Sequence, residues 1–155
     1  METSDYFTAP ASTKYHGNFE GGLAAHSMAI YEVFKERVKQ YGLDVPEESI
    51  CICAFLHDYV KVDFYEPNFN KDGSRSKKPW VVQEDVPLGH GEASVMKLLE
   101  MGLKMTDQEK VIIRWHMGSY EGEPWKLNSN KIKDKYPEAL VFHHVDNEVS
   151  TVYNL

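Results

Sequence analysis

Seven consecutive apolar residues, Ile50 to Leu56, run directly into His57-Asp58, so a titratable pair stands at the end of a segment that a folded chain buries. A carboxylate carried into an apolar interior costs several kcal/mol unless a cation or strong donors meet it. The same juxtaposition recurs along the chain. His26 falls on the stripe Leu23, Ile30, Val33, Phe34, Val38 and Tyr41, which recurs at helical spacing, while Lys35, Glu36 and Lys39 fall off it, so His26 points inward. His90, His116 and the run His143-His144-Val145-Asp146 also lie near apolar stripes or helix ends, and Asp146, like Asp58, is flanked by an apolar residue. A metal supplies the missing cation. Imidazoles and carboxylates together suit iron, manganese, cobalt or zinc, whereas an all-oxygen set would point to magnesium or calcium. Cys51 and Cys53, two apart, fall on different helix faces and fit neither a zinc pair nor a disulfide framework; they read as core residues.

At 155 residues the chain fits one domain whose core is large enough to fold unaided. Lys plus Arg number 17 against 24 Asp plus Glu, and the net charge of −7 disfavours a protein that grips nucleic acid over an extended basic face. The apolar run is far shorter than the roughly 18 to 20 residues of a membrane-spanning helix, so no membrane partner is expected. The opening Met1-Glu2-Thr3-Ser4-Asp5 is acidic where a secretory signal is basic and then apolar, and the expected location is cytoplasmic.

The local patterns predict a mainly α fold: a helical bundle with a small inserted β-hairpin. Gly21-Gly22 permits a tight turn before a helix from about Leu23. After a turn at Gly42 to Pro46, a second helix runs through Glu47-Glu48-Ser49 to His57-Asp58, its acids suited to a helix N-terminus. Val60 to Tyr65 and Pro79 to Gln83 read as two strands across a turn containing Asp72-Gly73. A third helix covers about Gly91 to Met101. Thr106-Asp107-Gln108-Glu109 has the capping-box pattern and opens a fourth, which runs towards His116 and is ended by Gly118. Tyr120 to Pro137, polar and aperiodic, reads as a loop over a site, and a last helix covers about Glu138 to Val152.

The order of these residues resembles the HD-domain superfamily of metal-dependent phosphohydrolases. Phe19-Glu20-Gly21-Gly22-Leu23-Ala24-Ala25-His26-Ser27 is similar to the segment with the first histidine, Phe55-Leu56-His57-Asp58-Tyr59-Val60-Lys61 to the name-giving doublet with its lysine, and His143 to Asp146 to the closing aspartate motif. Leu88-Gly89-His90-Gly91-Glu92 and Trp115-His116-Met117-Gly118 resemble the extra histidines of the subgroup that binds two metals. The resemblance runs from about Tyr15 to Val152, and one departure is Val60, where many members carry glycine. It implies that His26, His57, Asp58 and Asp146 hold one divalent transition-metal ion and His90 and His116 a second, with Asp58 bridging. Iron or manganese is the expected metal, with cobalt, nickel and zinc as alternatives.

The implied activity is hydrolysis of a phosphoester or phosphoanhydride in a small nucleotide-type substrate, with Asp58 and Lys61 as catalytic residues. Lys61 reads as a point charge for a phosphate oxygen, the alternative being a solvated lysine at a helix end. His143, three before Asp146 and on the same helix face, reads as a further ligand or as a partner to one. Trp125 beside Lys126 is a candidate base-stacking and substrate-binding pair, while Trp80 and Trp115 read as core. Lys71, Arg75, Lys77 and Lys78 read as a steering charge or as a solvated turn. His144, His16 and Arg114 read as surface or loop residues. The same ligand order also resembles the mixed-valent di-iron oxygenases of the superfamily, and a non-catalytic nucleotide sensor is the third alternative.

Overall fold

The computed structural model describes residues 4–82 and 88–155. It is mainly helical, with one two-stranded antiparallel sheet. The first helix, α1 (Gly22–Tyr41), buries Leu23, His26, Ile30, Val33, Phe34 and Val38, so the predicted stripe is the core face; Tyr41, at its last turn, is exposed. It starts where it does because Gly21 takes φ 82° and because a Cβ on Gly22 would stand 1.9 Å from the Gly17 carbonyl oxygen. A side chain fits neither requirement.

Helix α2 (Glu47–Leu56) stops sooner than expected. His57 is its C-cap, and Asp58 already has φ −102° and ψ 26° ahead of a 3-10 turn, Tyr59–Lys61. The Val60 amide donates to Ser94 Oγ (3.1 Å), so a side chain from another helix satisfies the chain as it leaves α2. Val60 is not among the positive-φ residues, so the backbone angles of this turn do not require a glycine there.

The hairpin is present but displaced. Strands β1 (Tyr65–Phe69) and β2 (Arg75–Val82) pair with Tyr65 opposite Val82 and Phe69 opposite Arg75. Residues 60 to 64 do not join β1, because the 3-10 turn occupies Val60 and Lys61, and Asp63 sits at φ 53°. Asp63 is held there by Asp5, whose carboxylate accepts from the Asp63 amide at 2.7 Å. Gln83, the predicted end of the second strand, lies outside the described residues.

Helices α3 (His90–Glu100) and α4 (Asp107–Trp115) follow the sequence patterns. The predicted capping box forms, with the Glu109 amide donating to Thr106 Oγ1 (3.2 Å) and the Thr106 amide to Glu109 Oε2 (2.7 Å). Gly91 brings the two helices into backbone contact: a Cβ there would lie 2.3 Å from the Arg114 carbonyl oxygen. Gly91→Ala is therefore expected to destabilise the protein by about 1–3 kcal/mol in chemical denaturation, as overpacking does. Met96→Ala, on the half-exposed side of α3, should stay within about 0.5 kcal/mol.

The expected loop from Tyr120 to Pro137 is corrected by the structure: most of it is helix α5 (Glu123–Lys135), entered through a 3-10 turn at Gly118–Glu121. Gly122 at φ 65° and Pro124 in the first turn start it. Only Ile132 is fully buried, with Trp125 and Tyr136 half-buried, so the inward stripe is too sparse to register as a period. Helix α6 (Pro137–Glu148) continues as a π-helical turn, Val149–Tyr153. Helices α1, α2, α4 and α6 pack as a ring, with α3 against α4 and α5 against α6. Phe34, Ile112, Ile113, Phe142 and Cys53 fill its centre, in line with the core reading of Cys53. Among the described residues no helix is long and apolar enough to cross a membrane.

Candidate metal centre

The ring of helices delivers its polar groups to one end. His57 and His116 are the C-caps of α2 and α4, and each Nδ1–H donates to a carbonyl three residues back, Ala54 at 2.9 Å and Ile113 at 2.8 Å. Carbonyls at a helix end lack a helical partner, so each ring satisfies one and is oriented by it. His26 Nδ1 donates in the same way to the main-chain oxygen of Leu155 at 2.9 Å. Oxygens of this kind can only accept. All three rings therefore carry a proton on Nδ1 and turn Nε2 inward.

The inward atoms crowd together. His26 Nε2 is 3.2 Å from His57 Nε2 and 3.3 Å from Asp146 Oδ1. Asp58 lies beside them, with Oδ2 at 3.4 Å from His57 Nε2 and Oδ1 at 3.5 Å from His116 Nε2. His26, His57 and His116 are 0, 0 and 1 % exposed. Asp58 Oδ1 and His116 Nε2 are buried without a hydrogen-bond partner. Lone pairs facing each other at these distances repel unless a proton or a metal cation lies among them, and imidazole nitrogens grouped with carboxylate oxygens form a donor set that fits a divalent metal. One donor atom from each of His26, His57 and Asp58 lies within 4.8 Å of the others, as ligation of a single ion requires.

The charges are mutually adjusted. Burial alone would raise the Asp58 carboxyl, but Lys61 and His57 beside it hold it well below the usual carboxylate range. Burial opposes the Asp146 carboxylate too, and His26 outweighs it, again holding it low. Burial pushes His57 below its ordinary value. His116 goes the other way, since Asp58 outweighs the effect of burial.

Lys61 is not a solvated lysine. It is 5 % exposed, and its Nζ donates to Asp58 Oδ2 at 2.6 Å. His143 reaches the main chain of a candidate ligand: its Nδ1 donates to the carbonyl of His116 at 2.6 Å, joining α6 to the end of α4. The ring comes this close because Gly118, at φ 51°, has no Cβ; one would lie 2.5 Å from the imidazole. His90 stands at the first turn of α3, half-buried and facing the same cavity. Arg114 is not simply a surface residue, since it pairs with Glu92 at 2.6 Å and Glu121 at 3.3 Å and ties the start of α3 to the end of α4. His144 is exposed, as expected.

A cavity of about 890 Å³ opens over Asp58, Lys61, His90, His116 and Asp146. His16 belongs to its wall, with its ring 5.3 Å from that of His26, and burial together with Lys61 and His26 pushes its pKa down to about 4. Trp125 and Lys126 are not among the described residues that line it. Trp125 packs on Trp115 and His143, and Lys126 pairs with Glu123 on the outer face of α5. Of the basic hairpin group, Arg75 folds over the rings of Trp80 and Phe69 rather than into the cavity. The sequence reading passed over Asn147, Ser150, Thr151 and Asn154, which form one wall. Their signal was the spacing itself, because Asn147 and Thr151 continue the face of His143 and Ser150 and Asn154 that of Asp146 at four-residue steps. Compared with known proteins, the chain matches no family model, and no curated protein and no solved structure matches it significantly.

Proposed function

We propose that the protein is a metal-dependent phosphohydrolase that acts in the cytoplasm on a small nucleotide-type phosphoester or phosphoanhydride. One observation carries the reading: a buried lysine stands beside the candidate metal-binding carboxylate at the floor of a cavity whose described lining has no carboxylates except Asp58 and Asp146. In a chain of net charge −7, such a lining favours an anion. His26, His57, Asp58 and Asp146 would hold one ion, and His90 and His116, sharing Asp58, a second. Divalent ions bound there supply a nucleophile at neutral pH by acidifying water and neutralise charge on a phosphoryl group. The chain's own residues do the rest. Asp58 keeps the imidazoles and Lys61 in register, Lys61 turns its ammonium to a non-bridging oxygen, and the amides and hydroxyls of Asn147, Ser150 and Thr151 meet the remainder of the substrate.

The test is phosphate release from deoxynucleotides, ribonucleotides, dinucleoside polyphosphates and cyclic nucleotides with manganese, cobalt or ferrous iron, under anaerobic conditions. Release that depends on Asp58 is the expected result. No release from a protein that retains two iron ions would move the assignment to an oxygenase, and no release without bound metal to a nucleotide sensor. Lys61→Met should raise KM about 10- to 100-fold while metal content stays intact, the scale of a hydrogen bond to a charged group. Loss of metal in that variant, measured by elemental analysis, would place Lys61 in the metal centre instead.

A further inference from the structure

We infer that the β-hairpin is a second recognition element, which holds a phosphodiester and a base of a short single-stranded oligonucleotide whose terminal phosphate lies in the cavity. What happens to that terminal phosphate rests on the phosphohydrolase reading; the hairpin site does not. The hairpin begins at the cavity and leads away from it. Tyr65 and Val82, opposite each other at its base, line the cavity. Trp80, opposite Pro67, is tied to the rim, where its Nε1–H donates to the carbonyl of Asn18 at 3.3 Å. Phe69 and Arg75 are paired farther out, about 13 Å from Tyr65 at the usual rise of a strand.

The register delivers a cation to this face. Arg75 and Trp80 are five apart, which in a regular strand puts them on opposite faces, but the pairing slips between Pro67 and Phe69 and the bulge re-aims Arg75. Its guanidinium lies 4.5 Å from the centre of the Trp80 ring and 5.3 Å from that of Phe69. Stacking uses the faces of the guanidinium plane and leaves its N–H edge for an anion. Among the described residues Arg75 stands in no ion pair. The acid at the hairpin tip, Asp72, instead accepts from the amide and hydroxyl of Ser74 at 3.0 and 2.6 Å. Those bonds, with the Asn70 amide on the Ser74 carbonyl at 2.8 Å, close the turn, so Arg75 is not needed to shape it. A pinned arginine with a free edge suits a phosphate. Phe69, 58 % exposed, adds a π-face on which a base can stack. The local field agrees, since residues 65–82 carry four Lys and Arg against two Asp and Glu in a chain of net charge −7.

Binding is measured on the full chain in EDTA, which prevents metal-dependent cleavage, by titrating a 5′-phosphorylated thymidine tetranucleotide and thymidine monophosphate at several salt concentrations. The tetranucleotide should bind about 10-fold or more tighter than the monophosphate. Arg75→Ala should lower tetranucleotide affinity about 10- to 100-fold, the scale of a hydrogen bond to a charged group, and leave monophosphate binding unchanged. The slope of log affinity against log salt should flatten by about 0.7, the share of one single-strand phosphate contact. Lys39→Ala, which removes an equal charge from the exposed side of α1, should match wild type in affinity and slope. No preference for the tetranucleotide, or an unaltered affinity and slope in Arg75→Ala, overturns the proposal. A uridine tetranucleotide run in parallel tells ribose from deoxyribose strands, and Arg75-dependent binding of either supports it. Arg75-dependent binding by a protein that releases no phosphate from any substrate keeps the hairpin site and removes the phosphohydrolase reading; release from mononucleotides without Arg75-dependent binding does the reverse. Should Arg75→Ala not fold, the unaltered chain decides: the tetranucleotide and not the monophosphate should shift the Arg75 Nε–H signal in 1H–15N spectra, and an unmoved signal overturns the proposal.

Discussion

Asp58→Ala is expected to lose bound metal and more than 99 % of any metal-dependent turnover, because a directly bound carboxylate must count for more than the outer partners whose loss alone costs about 10- to 100-fold. The structure adds a second consequence. Asp58 accepts a 2.6 Å hydrogen bond from Lys61, and both residues are about 95 % buried. Removing the carboxylate strands the ammonium, and breaking a buried ion pair from one side costs about 3–5 kcal/mol. Asp58→Ala should therefore be strongly destabilised even before metal is added. Adding Lys61→Met should recover much of that stability, since an apolar group then fills the place of the unpaired charge, without recovering metal. Denaturant midpoints and metal content measured on the single and double variants separate the two effects. Full metal content in folded Asp58→Ala would falsify the bridging role of this residue.

Phe142→Ala is expected to cost about 3–5 kcal/mol, the usual range for removing a buried aromatic ring. The ring is 0 % exposed and meets Phe34 edge-on at 4.9 Å on one side and His57 at 5.4 Å on the other. It is thus both a core residue and the wall that holds a candidate ligand in place. Stability and metal affinity should fall together in this variant. Val38→Ala, on α1 three turns beyond His26, should lower stability alone, and a Phe142→Ala protein with undiminished manganese affinity would show that His57 is oriented by its hydrogen bond to Ala54 and not by packing.

How far the fold could be read from the chain depended on how densely each element was marked. The stripe of α1 places eight buried residues on one helix, and the Thr106–Glu109 box marks the start of α4. Helix α5 lies on the outside of the bundle with one fully buried residue, so most of its positions answer to solvent and carry no period. The first strand was placed too early because β-branched and aromatic residues from Val60 onward favour extension locally, while Ser94 and Asp5, distant in sequence, hold that stretch in a 3-10 turn and a left-handed residue.

The order and spacing of residues determined that His26, His57, Asp58, His116 and Asp146 turn inward but not that His16 does, because a helical period and apolar neighbours fix direction only where the residue stands on or at the end of a helix. Distances between helices carry no such local mark. Only the tertiary structure decided that Gly91 lets α3 touch α4, that Gly118 admits the ring of His143, that Lys61 is buried against Asp58, and that His26 takes its acceptor from Leu155. Each of these depends on two segments far apart in the chain meeting within van der Waals or hydrogen-bond range, a condition set by the packing of the whole bundle and by no single stretch of sequence.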